Sequence, residues 1–290
     1  MSNAKVETFA YAKINLALAV VGQREDQYHE LESVMQSIEL HDVVRVERKG
    51  SGLVCRCGEL SGPQNLAYKA AKIFLDNLGK PESVEIVIEK NIPLEAGLAG
   101  GSSDAAAVLQ ALNHMFAQPF TLLKLRQMAL QCGADVPFCL TGGTMWATGI
   151  GEVLQALPQA PPLPVVLVKP QPGVSTGEVF RRIAKSRSYS RLRREDWEWA
   201  LKRGSAEGIA GLLANGLEKI SQELVPQISS LKASLLRSGC LGALMSGSGS
   251  SVFGIARDSR QAAEIARELR RDDSLQVWVT RFKGEDPVNH

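Results

Sequence analysis

The stretch "PLEAGLAGGSSDAA" (residues 93–106) brings Gly97, Gly100 and Gly101 together with Ser102 and Ser103 just before an alanine-rich segment. Residues without a Cβ let a backbone approach phosphate oxygens closely, and the start of a helix offers unpaired N–H groups carrying about half a positive charge. Bound nucleotide phosphate is the chemistry this composition fits best. A glycine-rich turn entering a helix gives the same letters without any ligand, so the loop alone leaves both readings open. Two phosphate motifs are excluded. The loop holds no lysine, as a Walker A sequence would, and its glycines follow a proline without the spacing of a dinucleotide-binding fingerprint.

Other residues could join such chemistry. In "KINLALAVV" (13–21), Lys13 and Asn15 share one strand face while Ile14, Leu16, Leu18 and Val20 share the other. Such a lysine either lines a site or reaches solvent from a strand edge. Asp135, in "CGADVP", lies between a glycine and Pro137 on a short turn, which suits a catalytic carboxylate and an Asx-type turn residue equally. Phosphoryl transfer needs an acceptor oxygen in line with the phosphorus and positive charge around the moving group. A metal cage is not expected: His29, His41, His114 and His290 have no His-x-x-x-His spacing, and the 5 cysteines, with only Cys55 and Cys57 close together, read as reduced thiols.

The elements that position these residues follow from periodicity. "SVEIVIEK" (83–90) alternates as a half-buried strand ahead of the loop, and "AAAVLQALNHMF" (105–116) continues it as a helix with Val108, Leu112 and Met115 on one stripe. Ser102, Ser103 and Asp104 are expected to cap that helix. "DVVRVERK" and "LVCRC" around Gly50 and Gly52 predict a hairpin. Residues 65–78 predict a helix with Leu66, Ala70, Ile73 and Phe74 inward, and Thr121 to Gln131 another, capped by Thr121 and stopped at Gly133. "LPQAPPLP" (157–164) is the expected domain boundary, giving an amino-terminal domain over 1–160 and a carboxy-terminal one over 161–290. Past it the order strand, helices, strand, strand, helix, strand predicts a ferredoxin-like split βαβ domain.

The gross composition agrees with a globular α+β protein. The 290 residues suffice for two domains, with 44% hydrophobic and 22% charged residues. A net charge of +2 favours neither nucleic acid nor a membrane as partner, and the basic stretch 181–203, with Tyr189, Trp197 and Trp199 in it, reads as a solvated helix-and-linker region ahead of an RNA-binding one. "MSNAKVETFA" has no apolar signal core and the run 16–21 is too short to span a bilayer, so a cytoplasmic location is expected.

The chain resembles the GHMP kinases. Pro93, Gly97, Leu98, Gly100, Gly101, Ser102, Ser103, Ala105 and Ala106 fit that family's phosphate loop, and "AYAKINLAL" (10–18), "YHELESVMQSIEL" (28–40), "GADVPFCLTGGTMWATGIGE" (133–152) and "LMSGSGSSVFG" (244–254) extend the resemblance over most of the chain. It implies the two-domain GHMP fold, an amino-terminal mixed α/β domain followed by the ferredoxin-like one, in a kinase using ATP and Mg²⁺. Within the family the resemblance is to the branch that phosphorylates the 2-hydroxyl of a cytidine diphosphate-linked methylerythritol in isoprenoid precursor synthesis, a small-molecule enzyme acting as a monomer or weak homodimer. By resemblance Lys13 and Asp135 are the catalytic pair. Pro93, Leu94, Glu95, Ala96, Gly97, Leu98, Ala99, Gly100, Gly101, Ser102 and Ser103 hold the nucleotide phosphates, Ser103 also meets the metal, and Asn65 lies near the adenine. Tyr28 and Phe180 stack on the cytosine, His29 reads its edge, Thr176 faces the diphosphate and Asn15 adjoins the acceptor. One departure stands out: the position before Tyr28 is usually glycine in this branch and here is Gln27. Two other functions share the loop. A homoserine or mevalonate kinase would have no use for Tyr28 and His29 beside Phe180, and a non-catalytic sensor would not need Lys13 and Asp135.

Overall fold

The computed structural model describes residues 4–284; Met1 to Asn3 and residues 285–290, His290 among them, lie outside the described residues. Among the described residues two compact units interleave along the chain, one built from residues 4–12, 40–92 and 99–141, the other from 13–39, 93–98 and 142–284. Two long strands, β1 (Lys5–Gln23) and β2 (His29–Glu47), contribute to both.

The first unit adds β3 (Leu53–Arg56), α1 (Leu66–Leu78), β4 (Val84–Glu89), α2 (Gly100–Met115), α3 (Leu122–Cys132) and α4 (Val136–Thr141). Its core sets Val44, Val46 and Ile86 of the strands against Ala70 and Phe74 of α1 and Ala105 to Leu109, Leu112 and Met115 of α2. The alanines let α1 and α2 approach closely, so most of the helix that carries the glycine loop at its start is buried. Asn65 and Thr121 cap α1 and α3 through their side chains, and α3 stops at Gly133, as expected.

Two expectations fail here. The segments flanking Gly50 and Gly52 do not form a hairpin, because β4 inserts between them, antiparallel to β2 (Val44 opposite Ile88, Val46 opposite Ile86) and parallel to β3 (Cys55 opposite Ile86). Ser83 and Val84 occupy the gap: Lys49 N donates to Ser83 O at 3.2 Å and Val84 N to Gly52 O at 2.9 Å. A strand as rich in buried β-branched residues as β4 gains a ladder on each side there. The second failure is at α2, which begins at Gly100 rather than at the serines. Its cap is Ala99 in the left-handed region (φ 57), with no side-chain cap bond.

The second unit adds β5 (Thr144–Thr148), β6 (Val153–Ala156), β7 (Pro164–Pro170), α5 (Thr176–Ser186), α6 (Arg194–Arg203), α7 (Ala206–Gly211), β8 (Ala214–Asn215), α8 (Glu218–Leu224), α9 (Gln227–Arg237), β9 (Gly242–Met245), β10 (Val252–Ile255), α10 (Ser259–Leu269) and β11 (Leu275–Arg281). Strands β11-β7-β10-β9 form an antiparallel sheet in that order, the split βαβ arrangement expected from the sequence. Val166 and Val168 of β7 and Met245 and Val252 of the neighbouring strands pack with Val179 and Ile183 of α5, Ile228 and Leu235 of α9 and Ile265 of α10. The short β8 pairs in parallel with the Ala17–Leu18 part of β1, and β5 runs antiparallel to Ser33–Gln36 of β2; periodicity marked neither strand. The basic stretch is a solvated face. Arg181 and Arg182 pair with Glu178, Arg191 with Glu32 at 3.0 Å and Arg194 with Glu198 at 2.8 Å, and Trp197 is buried while exposed Trp199 carries the Arg203 guanidinium on its ring.

Candidate functional site

The first half of the glycine loop is seated in the second unit. Gly97 O accepts from Ser246 Oγ at 2.9 Å, Leu98 O accepts from Lys13 N at 3.1 Å, and Ser246 Oγ accepts from Asn15 N at 3.3 Å. Gly97 has φ +72, and a Cβ there would overlap the Ser246 carbonyl oxygen and lie 3.0 Å from its carbon. The turn "SGSGSS" (246–251) thus requires glycine at 97 and is itself fixed from behind: Asn215 Nδ2 donates to Met245 O and Gly247 O, and Ser221 Oγ to Ser248 O.

Lys13 and Asn15 share a face, as the alternation predicts, but both are buried. Lys13 Nζ donates to Asn15 Oδ1 at 2.7 Å, Asn15 Nδ2 donates to Ser33 Oγ at 2.8 Å, and Ser33 Oγ donates to Ala17 O at 2.6 Å. Asn15, with no exposed surface, therefore orients the lysine.

The second half of the loop belongs to the first unit. Ser103 N bonds back to Ala99 O at 2.8 Å, and the first-turn amides of α2 before it have no intrahelical acceptor. Ser103, 1% exposed, donates from Oγ to Tyr11 O at 2.6 Å, tying the helix start to β1, and the same hydroxyl lies 3.3 Å from Cys139 Sγ. Asp104 turns into the protein, where Lys90 donates to its Oδ2 at 2.7 Å and also to Asp42. Burial raises the Asp104 carboxyl to about 7 in spite of Lys90, and its Oδ1 has no hydrogen-bond partner. Burial lowers the Lys90 pKa, but its two carboxylates outweigh that and hold the ammonium above its ordinary range. Asp104 is thus withdrawn from any metal carried on the nucleotide. Among the described residues no three His, Cys, Asp or Glu side chains gather as a metal site. With no acidic cage among the described residues, magnesium would be held mainly by phosphate and water. Asp135 is half-buried in the turn before α4 and its carbonyl accepts from Cys139 N at 3.1 Å, while Asn65 is a plain helix cap whose Oδ1 accepts from Ala67 N at 2.8 Å.

In the second unit, His29 at the head of β2 packs on Phe180 of α5, ring centroids 5.1 Å apart and tilted by 32°. His29 is 8% exposed and its Nε2 is buried without a partner. Burial holds its imidazole below the ordinary histidine range. Tyr28 is 60% exposed and makes no ring contact among the described residues, so the structure brings His29, not Tyr28, to Phe180. Gln27 has φ 69, the conformation a glycine would take without strain; Arg24 N to Tyr28 O (2.7 Å) and Gln27 N to Arg24 O (3.1 Å) close the turn. Thr176, exposed at the start of α5, shares a 2.7 Å hydrogen bond with Ser248 Oγ of the glycine turn. Ser246, Ser248, Lys90 and Asp42 escaped sequence reasoning, since their partners lie far away along the chain.

The mixed helix-and-strand architecture and the seated glycine loop are those of a GHMP phosphotransferase, and the chain matches the GHMP kinases N terminal domain over residues 65–143 and the GHMP kinases C terminal family over 197–274. A 4-diphosphocytidyl-2-C-methyl-D-erythritol kinase of Desulfitobacterium hafniense (strain Y51) is 54% identical over 277 residues, 95% of each chain, and one of Pelotomaculum thermopropionicum 44% identical over 280 residues, 95% of this chain and 97% of that one. A crystal structure of a 4-(cytidine 5'-diphospho)-2C-methyl-D-erythritol kinase superimposes with a TM-score of 0.85 at 38% identity, covering 96% of this chain and 100% of that one. The homoserine kinase of Cytophaga hutchinsonii, at 19% identity and a TM-score of 0.74 over 99% of this chain and 98% of its own, shares the fold. The chain belongs to the 4-diphosphocytidyl-2-C-methyl-D-erythritol kinase family of the GHMP kinases.

Proposed function

We propose that this chain transfers the γ-phosphate of ATP to the 2-hydroxyl of 4-diphosphocytidyl-2-C-methyl-D-erythritol, giving the 2-phosphate and ADP in the non-mevalonate route to isoprenoid precursors. The observation that carries the choice of acceptor is the His29–Phe180 pair. A buried imidazole nitrogen without a partner, on a ring packed against an aromatic, suits the edge and face of a cytosine and has no counterpart need in a mevalonate or homoserine. Tyr28, exposed beside it, supplies a further face once the pyrimidine is bound. Thr176 and Ser248 offer hydroxyls to the diphosphate.

Residues 93–103 hold the ATP phosphates through backbone amides, with Asn65 toward the adenine. Asp135 takes the proton of the acceptor hydroxyl, and Lys13, fixed by Asn15, offsets negative charge as it develops. Magnesium would supply positive charge against the phosphates when bound, and Ser103 is the side chain that would meet it. Along the sequence the chain divides into an amino-terminal GHMP domain to about residue 160 and a ferredoxin-like domain beyond, a division that falls between the two family matches, although residues 13–39 and 93–98 pack in one compact unit with those from 142 onward. It works in the cytoplasm as a monomer or weak homodimer; among the described residues no helix is long and apolar enough to cross a membrane. Incubation with Mg-ATP and, separately, the cytidine substrate, mevalonate and homoserine tests the assignment. ADP should form only with the first, and ADP formation with either of the others, or with none, refutes it.

A further inference from the structure

One side chain ties the two ends of the glycine loop. Asp42 has no exposed surface, and its Oδ1 accepts from the amides of Asn91 (2.5 Å) and Ile92 (2.8 Å), the residues that lead into Pro93. Its Oδ2 accepts from the Lys90 ammonium, and that ammonium also donates to Asp104 Oδ2 in the first turns of α2. The bridge Asp42–Lys90–Asp104 therefore joins residues 90–92 to residue 104, leaving 93–103 to span a fixed distance. It passes close under the start of the helix: a Cβ on Gly100 would lie 3.0 Å from Ile92 Cγ2 and 3.3 Å from Lys90 Nζ. The side chains of Lys90, Asp42 and Asp104 are 19%, 0% and 3% exposed. Three ionisable groups withdrawn from water in this way are a poor means of adding stability, since well-packed apolar groups of the same volume often serve as well or better. Apolar groups could not hold two backbone amides and a helix start at one set spacing.

We propose that Lys90 is a positioning residue for phosphoryl transfer: by holding Asp42 and Asp104 together it sets the separation of the loop's two ends, and with it the direction in which the first-turn amides of α2 meet the nucleotide phosphates. This rests on the assignment of the loop to ATP. Misplacement of a reacting group by about 1 Å can cost on the order of a hundredfold in rate, so a slack loop should be visible in both binding and turnover.

Asp104→Ala removes one end of the bridge and leaves the Asp42–Lys90 pair intact; Lys90→Met removes both links and Lys90→Arg restores a cation. Dissociation constants for a non-hydrolysable ATP analogue and for the cytidine substrate, with kcat and melting temperature, are the readouts. In Asp104→Ala the ATP analogue should bind roughly tenfold or more weakly and kcat should fall, with the cytidine substrate held as before. Lys90→Met should lose at least as much and Lys90→Arg should recover most of it. If Lys90→Met fails to fold, Asp104→Ala decides alone. A folded Asp104→Ala protein with wild-type nucleotide affinity and kcat overturns the proposal, as does equal weakening of both ligands, which would mark a general structural role. A wild-type protein that binds no ATP analogue would instead overturn the assignment of the loop.

Discussion

Gly97→Ala should separate a loop that is merely glycine-rich from one seated on its neighbour. The new methyl would overlap a backbone oxygen, that of Ser246, in a turn held by Asn215 and Ser221, so no side chain can rotate aside. The left-handed conformation, φ +72, adds about 1–2 kcal/mol for any residue with a Cβ, and forced overpacking typically costs about 1–3 kcal/mol more. A cheaper escape exists: the loop can lift off and give up the Ser246–Gly97 and Lys13–Leu98 hydrogen bonds, at about 1 kcal/mol each. The loss of stability should therefore settle near 2 kcal/mol, a fall in melting temperature of roughly 4–8 °C for a unit of this size. Lifting the loop also takes its amides away from the phosphates, so the affinity for an ATP analogue should drop at least tenfold, about 1.4 kcal/mol. Calorimetric titration and thermal melts of Gly97→Ala beside Gly22→Ala, whose Cβ would meet nothing within 4 Å, supply the comparison. If Gly97→Ala melts like the wild type and binds the analogue equally well, the seating of the loop on Ser246 is wrong.

Three other outcomes are expected. Gln27→Gly should raise stability by up to about 1 kcal/mol, because relief of a left-handed non-glycine residue outweighs glycine's extra freedom in the unfolded chain; a lower melting temperature would contradict the strain at φ 69. His29 should titrate below 6.5 by NMR, because burial disfavours its cation. With the folded pKa lowered, the unfolded chain binds more protons in that window, so this contribution to stability is complete above 6.5 and is lost as pH falls through the folded value; a midpoint at or above 6.5 contradicts the burial. Asp135→Asn should lower kcat by about 10²- to 10⁴-fold with nucleotide affinity kept, and turnover within a few-fold of the wild type would remove Asp135 as the base.

What could be read from the sequence was what depends on near neighbours. Asn65 and Thr121 announce helix starts because a cap bonds two or three residues away, and Val108, Leu112 and Met115 announce a buried stripe because a helix repeats within a few residues. The split βαβ order came through for a related reason: its strands are short apolar runs bounded by turns. Pairing is another matter. Val44 and Val46 suit either a hairpin with β3 or a ladder with β4, and only the arrival of Ile86 and Ile88 from some forty residues away decides. The site divides in the same way. The loop and the Lys13/Asn15 face are local patterns, whereas Asp42, Lys90 and Asp104 are ordinary surface letters until the fold removes them from water.

The same structure explains which loop positions are glycine and which are not. Glu95, Gly97 and Ala99 all have positive φ, yet only one of them is glycine, so backbone conformation alone does not choose the residue. Contact does: Gly97 meets the Ser246 carbonyl, and Gly100, without a positive φ, meets Ile92 and Lys90. Gly101 fits neither cause. It has no positive φ, it is exposed in the first turn of α2, and a Cβ there would make one ordinary contact, 3.6 Å from Leu66 Cδ1. Nothing within the protein demands a bare backbone at 101, and in a helix alanine is favoured over glycine by up to about 1 kcal/mol. A ligand that approaches the first-turn amides does demand it, because a methyl would stand between the N–H groups and a phosphate oxygen. Gly101→Ala should therefore leave the melting temperature unchanged or raise it by a degree or more, while weakening an ATP analogue at least several-fold and sparing the cytidine substrate. Melting curves and paired titrations check this. Unaltered nucleotide affinity in a protein of full stability would mean that the phosphates do not approach α2 at Gly101.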